Sequence, residues 1–227
     1  MAFIVEQFTG DRGVQLAVED VIRPFSFGTN WQKIRLGCRF AVNGYSIVSV
    51  APRLGVCTGN NAALSGSTVD AFWMNYFATQ IGVTYQGTPP NNYLYQSAAA
   101  FNSPTQQRVG STTTNATNIN VQPAFSANPT VLRSGWLFDI TKGTVGASGM
   151  TCQQWHMSAA QVVVDMSRGS FLAAMENESA PSGLTGTSVT AVTLPLRFNK
   201  DWDSMFIGWG RSTPTMCFYD MCVVRFA

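Results

Sequence analysis

Residues 31–42 alternate along their length, with Ile34, Leu36, Cys38, Phe40 and Val42 on one side and Lys33, Arg35, Gly37, Arg39 and Ala41 on the other. A period of two belongs to a strand with one buried face and one wet face, and it does not fit an amphipathic helix. Asn43-Gly44 follows at once, and residues 45–50 read as the returning strand, because Asn-Gly supplies the positive φ angles of a tight hairpin. A second pair is expected at the C-terminal end. There, aromatic-rich runs at 202–209 and 216–226 flank the turn-forming Gly210-Arg211-Ser212-Thr213-Pro214.

The rest of the chain adds short strands. Residues 3–8 and 14–22, broken by Gly10-Asp11-Arg12-Gly13, form an N-terminal arm or edge strands, which either pair with the domain's own sheet or dock on a neighbouring subunit. The aromatics Phe72, Trp73, Tyr76 and Phe77 within 69–84 fit a helix by spacing and a buried strand by composition, and strand is the preferred reading. Residues 86–129 are a compositional outlier, rich in Pro, Asn, Gln, Ser and Thr, and read as a long polar loop ordered by a partner. Further strands are expected at 134–141, 154–166 and 189–198, with a hairpin over 161–175 turning at Ser167-Arg168-Gly169-Ser170. About ten to twelve short strands with no long amphipathic helix make one antiparallel, jelly-roll-like β-sandwich the simplest solution. The domain would run from 31 to 227, with the arm at 1–30.

Charge narrows the function. Charged residues make up only 11% of the chain, against about 25% in an average soluble domain. Copies would repel one another weakly, which favours burial in an assembly. A net charge of +2 with no basic stripe argues against direct nucleic-acid binding. No secretory signal and no membrane-spanning run is seen, so synthesis in the cytoplasm and no membrane partner are expected. Five cysteines at irregular spacing, Cys38, Cys57, Cys152, Cys217 and Cys222, read as buried free thiols, and none forms the Cys-x-x-Cys pair of a zinc site.

The C-terminal end carries a family likeness. Phe206-Ile207-Gly208, a short loop, and Phe218-Tyr219-Asp220 running into Cys222-Val223-Val224 resemble the closing strands of concanavalin-like and laminin-G-like jelly rolls. The hairpin at 161–175 is similar to the central hairpin of that family. This resemblance covers roughly the last 90 residues and implies a jelly-roll sandwich. The Glu-x-Asp-x-x-Glu strand of glycosidases on that fold is missing from the chain, which speaks against hydrolysis.

Catalytic chemistry finds little support. His156 is the only histidine, so any Ser-His or Cys-His arrangement must pass through it, and its neighbours Trp155 and Met157 suggest a structural ring beside the core. Glu176 and Glu178 sit two apart but in a turn-prone segment where exposure is expected. Asp201 and Asp203 flank Trp202 in a short acidic loop that lacks the further oxygens calcium wants, so no metal or other cofactor is expected. Trp202, Tyr93 and Tyr95 are aromatics that can stack on sugar rings, and with Asp201 and Asp203 they form the candidate glycan contacts. The leading expectation is a non-enzymatic structural subunit of a phage or virus particle, partnered by copies of itself and other subunits of that particle. The alternative is a carbohydrate-binding, lectin-like or adhesin domain whose partner is a surface glycan.

Overall fold

The computed structural model describes residues 2–8, 14–16, 21–22, 25–43, 52–57, 71–75, 91–97, 107–115, 121–122, 134–142, 151–156, 166–181, 184–189, 202–209 and 215–226. They form two sheets and one helix. The larger sheet has eight strands. In chain order these are β1 (Ala2–Phe8), β2 (Val14–Leu16), β4 (Lys33–Asn43), β9 (Val121–Gln122), β10 (Ser134–Thr141), β11 (Thr151–His156), β12 (Thr185–Val189) and β14 (Thr215–Phe226). The second sheet has six: β3 (Val21–Ile22), β5 (Pro52–Cys57), β6 (Ala71–Asn75), β7 (Asn91–Ser97), β8 (Gln107–Asn115) and β13 (Ser204–Trp209). Spatial order is β1-β14-β4-β10-β11-β12 in the first, with β2 also on β14 and β9 on β4, and β3-β13-β5-β6-β7-β8 in the second. All pairings are antiparallel except the short β4–β9 contact. The chain is an all-β antiparallel sandwich.

The alternation in β4 places the core. Ile34, Leu36, Cys38 and Phe40 are buried, in register with Ile140, Phe138, Trp136 and Ser134 of β10, and Val223 of β14 lies opposite Leu36. Phe40 and Trp136 meet edge to face, with centroids 6.4 Å apart. Leu54 and Val56 of β5 with Ile207 and Met205 of β13 supply the buried apolar rows of the second sheet. Each such side chain contributes about 1.5–3 kcal/mol relative to leaving it in water.

The other face of β4 is not wet. Arg35 is fully buried, and Arg39 is nearly so. The cover is α1 (Arg168–Glu176), where the sequence predicts a turn and a returning strand. Ser167 caps it: its hydroxyl accepts from the Ser170 backbone N–H at 3.1 Å, so Ser167-Arg168-Gly169-Ser170 is the helix start and not a hairpin turn. Phe171, Ala174 and Met175, at helical spacing, pack with Leu137, Trp155, Cys222, Val224 and Phe226 into a second apolar cluster outside the larger sheet. Gly37 is the seat. A Cβ there would overlap the Met175 Sδ and lie 3.1 Å from Phe171 Cζ.

Neither of the other two expected hairpins is seen among the described residues. β4 is flanked along its length by β14 on one side and by β10 and β9 on the other, and the next described strand, β5, belongs to the opposite sheet. Residues 44–51 lie outside the described residues. Likewise, β13 and β14 sit in different sheets. The expected polar loop at 86–129 contains β7, β8 and β9, because Thr and Tyr favour an extended backbone. Strand is right for 71–75 and 134–141. The first part of 154–166 falls in β11, the expected strand at 189–198 overlaps β12 only at Val189, and 157–165 and 190–198 lie outside the described residues. The N-terminal strands pair within the chain: β1 and β2 on β14, β3 on β13.

Cys38, Cys57, Cys152 and Cys222 are buried free thiols. Burial pushes the Cys38 and Cys152 thiols far up, with Asp139 adding for Cys152. Cys222 is pushed up to about 12, by burial first and then by Glu176 and Asp220. The folded chain keeps these protons, whereas the unfolded chain releases them above about pH 8.5. Stability from this source is therefore full below that pH and falls as pH rises above it. At pH 8 the native protein is expected to leave these four cysteines unmodified by an aromatic disulfide reagent, and guanidinium to expose them, as peptide mapping by mass spectrometry would record.

Candidate functional site

Two places concentrate polar and aromatic residues. One is the outer side of the larger sheet beneath α1. Arg35 donates from Nε and Nη2 to the two carboxylate oxygens of Asp139, at 2.6 and 2.8 Å, while Nη1 donates to the carbonyls of Ala174, at 2.7 Å, and Asn177. Trp155 Nε1 donates to the same carboxylate at 2.9 Å, and the guanidinium lies 5.3 Å from the Phe226 ring centroid. Nearby, Arg39 donates to Asp220 at 2.6 Å, and Arg168 of α1 approaches that carboxylate at 3.4 Å. Arg35 has no surface in water, so this constellation holds the helix to the sheet and offers no substrate a path. Sequence reading missed it. The available signal was Gly37, a residue without a side chain between two arginines on a supposedly wet face.

The other place is the six-stranded sheet. Directly opposed residues of antiparallel strands share a face, and successive rows alternate between faces. Ile207, Leu54, Met74, Leu94 and Gly110 form one row and Met205, Val56, Phe72, Gln96 and Gln107 another on the same, core-directed face. The rows between them belong to the opposite face, which is covered along β5 and β13, where Arg53, Gly55 and Gly208 are buried, and the β7–β8 pairing slips between Leu94 and Tyr95. They read Phe206, Gly55, Trp73, Tyr95, Arg108 and Gly208, Arg53, Asn75, Tyr93, Ser111. Three aromatic positions, Trp73, Tyr93 and Tyr95, thus adjoin on the neighbouring strands β6 and β7, with Arg108 opposite Tyr95 on β8.

The candidate contacts named from sequence do not form one cluster. Tyr93 and Tyr95 share the outer-face rows, but Trp202 and Asp203 sit at the start of β13, three strand spacings or roughly 14 Å from β7. Trp202 is fully buried, so its ring is not open to a sugar, and its carbonyl accepts from Trp31 Nε1 at 2.9 Å. Its place under the segment carrying Phe27 and Trp31 explains the burial: those rings meet at 6.2 Å, and Lys142 Nζ covers Trp31 at 3.9 Å. The Asp203 carbonyl accepts from Phe27 N, Gly28 N and Ser26 Oγ, and its carboxylate accepts from Ser204 Oγ at 2.7 Å, so the corner is engaged in tying 25–28 to β13. Asp201 lies outside the described residues.

Other candidates disperse. Glu176 ends α1, and Glu178 lies beyond it, exposed and 3.4 Å from Lys33 Nζ, so the two do not share a strand face. His156 occupies the row of Trp136 and Cys38, on the core-directed face of the larger sheet. Among the described residues, no group of three or more His, Cys, Asp or Glu is placed to hold a metal ion, and no helix is long and apolar enough to cross a membrane.

No protein-family model and no curated protein matches this chain. Solved structures do. The exoplasmic/lumenal domain of VIP36 with Ca2+ and Man3GlcNAc bound is similar with a TM-score of 0.51 at 7% identity, over 100% of this chain and 84% of that one. Its metal-free form gives 0.50 over the same shares. The marine PL-14 alginate lyase from Aplysia kurodai gives 0.50 at 9% identity, over 90% of this chain and 74% of the lyase. Likeness at such identity is one of fold, and the shared fold is the two-sheet β-sandwich.

Proposed function

We propose that this chain binds glycan on the outer face of its six-stranded sheet. The observation that carries the reading is the strand register that aligns Trp73, Tyr93 and Tyr95 on neighbouring strands of that face. Aromatic faces stack on the C–H surfaces of sugar rings, and the Asn75 and Ser111 positions, each opposite Tyr93 on a neighbouring strand, add hydrogen-bond partners for hydroxyls. Two solved sandwiches of similar fold support it: one was obtained with Man3GlcNAc bound, and the other is an alginate lyase. The particle-subunit expectation loses its main supports. Its N-terminal arm pairs with β14 and β13 of the same chain, and its polar loop supplies β7 and β8.

Binding to a panel of immobilised oligosaccharides, followed by calorimetry on the best one, tests the proposal. Tyr95→Ala, with far-UV circular dichroism unchanged, is expected to weaken binding about tenfold, or ~1.4 kcal/mol. Retention of no glycan, or wild-type affinity in both Tyr93→Ala and Tyr95→Ala, would reject the site.

A further inference from the structure

Among the described elements, only α1 stands outside the strand pairings, so lifting it from the larger sheet breaks no ladder bond. Nine residues are too few for a helix to persist alone in water, and Gly169 weakens it further. Its seat is built around sulfur. Met166, just before the Ser167 cap, lies on Gly135 of β10, and Met175, in the last turn, lies on Gly37 of β4; a Cβ at either glycine would overlap the sulfur. The strong donors around Met175 are committed elsewhere: Arg35 donates to Asp139, Ala174 and Asn177, and Trp155 Nε1 donates to Asp139. A second sulfur, Cys222, stands directly opposite Gly37, but burial pushes its thiol up to about 12. At neutral pH the thioether is therefore the sulfur in its reactive form, because a thiol reacts as its thiolate.

We infer that α1 is an oxidation-sensitive strap: peroxide converts the Met175 thioether to its sulfoxide, and the sulfoxide no longer fits beneath the helix. The step balances with hydrogen peroxide alone. A sulfur lone pair takes one oxygen, the O–O bond breaks and water leaves, so sulfur loses two electrons and peroxide gains them. Closed, the seat leaves Met175 no surface in water, so the reaction takes place while α1 is locally lifted. On closing, the new S=O acceptor would be buried against Gly37, Phe171 and the rest of the apolar cluster without a strong donor, which shifts α1 toward the open form at least about tenfold. Opening uncovers Leu137, Trp155, Val224 and Phe226 together with the Arg35–Asp139 pair. Met205 is just as buried but belongs to the core-directed rows of β13, so reaching it requires the sheets themselves to part.

The test treats the full chain with hydrogen peroxide near neutral pH and follows sulfoxide at each methionine by peptide mapping, with far-UV circular dichroism reporting on the sheets. Met175 is expected to oxidise at least about tenfold faster than Met205 while the sheet signal holds. Amide hydrogen exchange over 168–176 should then quicken at least about tenfold, and methionine sulfoxide reductase should reverse the change. Met175→Leu keeps the volume and has no sulfur to oxidise, so its helix should stay protected after the same treatment. Should that variant fail to fold, the order of oxidation and the exchange of the wild type still decide. Oxidation of Met175 only in step with Met205, or a helix still protected once Met175 is the sulfoxide, overturns the inference. So does equal loss of protection in Met175→Leu. The rate is expected to stay level between about pH 6 and 8; a climb of about tenfold per pH unit would mark a thiolate as the reacting group and overturn the assignment to Met175.

Discussion

Replacing Asp139 with alanine is expected to destabilise the fold by about 3–5 kcal/mol, a large share of the 5–15 kcal/mol that holds a typical domain together. The mutation would leave the Arg35 guanidinium, wholly out of water, without the carboxylate that takes two of its hydrogen bonds. Trp155 Nε1 would lose its acceptor too. Urea denaturation followed by tryptophan fluorescence measures the loss. Arg35→Met removes the charge and also the donor that reaches the Ala174 and Asn177 carbonyls, so it should loosen α1 as well as the sheet. Since each single change strands the other's partner, the double variant is expected to fall short of the summed losses by about 0.5–3 kcal/mol. If Asp139→Ala stays within 1 kcal/mol of wild type, the Ala174 and Asn177 carbonyls suffice for the buried guanidinium and the carboxylate is dispensable.

The same residues show how far the sequence is legible. Alternation in β4 correctly assigns Ile34, Leu36, Cys38 and Phe40 to the core, because burial of one face is a local pattern. It cannot say whether the second face is covered. The cover over Arg35 and Arg39 is a nine-residue helix some 130 positions later, whose cap resembles a turn in composition. Asn43-Gly44 and the segment 210–214 mark reversals, but reversal does not choose the sheet. In a sandwich the chain can cross between layers as readily as it folds back beside itself, and here β4 to β5 and β13 to β14 are crossings. The outer-face rows show the same limit. Tyr93 and Tyr95 are visible as candidates in a polar stretch, whereas their alignment with Trp73, Asn75 and Arg108 depends on register between strands distant in sequence. Trp202 failed as a candidate for a related reason: the residue that caps it, Trp31, lies 171 positions away.

Asp220 carries the second large effect, because one residue combines backbone strain with charge. It sits in β14 where the pairing to β4 slips by one residue between Tyr219 and Cys222, and its φ is +45°, a left-handed value in the middle of a sheet. Asp tolerates that region better than most side chains, and its carboxylate anchors Arg39 at 2.6 Å in a buried setting. Asp220→Ala keeps the strained backbone and strands the arginine, for an expected loss of about 3–5 kcal/mol. Asp220→Gly strands the arginine but frees the backbone, so it should recover about 1 kcal/mol of that loss. Asp220→Asn keeps both an acceptor and the tolerance of positive φ, and should lose least of the three. Arg168→Ala is expected to cost less than about 1 kcal/mol, since that side chain is half exposed and water replaces its contact. Urea melts of the four variants separate the contributions. If Asp220→Gly proves more stable than wild type, the bulge is a site of strain that the ion pair does not offset, and the carboxylate is then dispensable for seating α1 on the sheet.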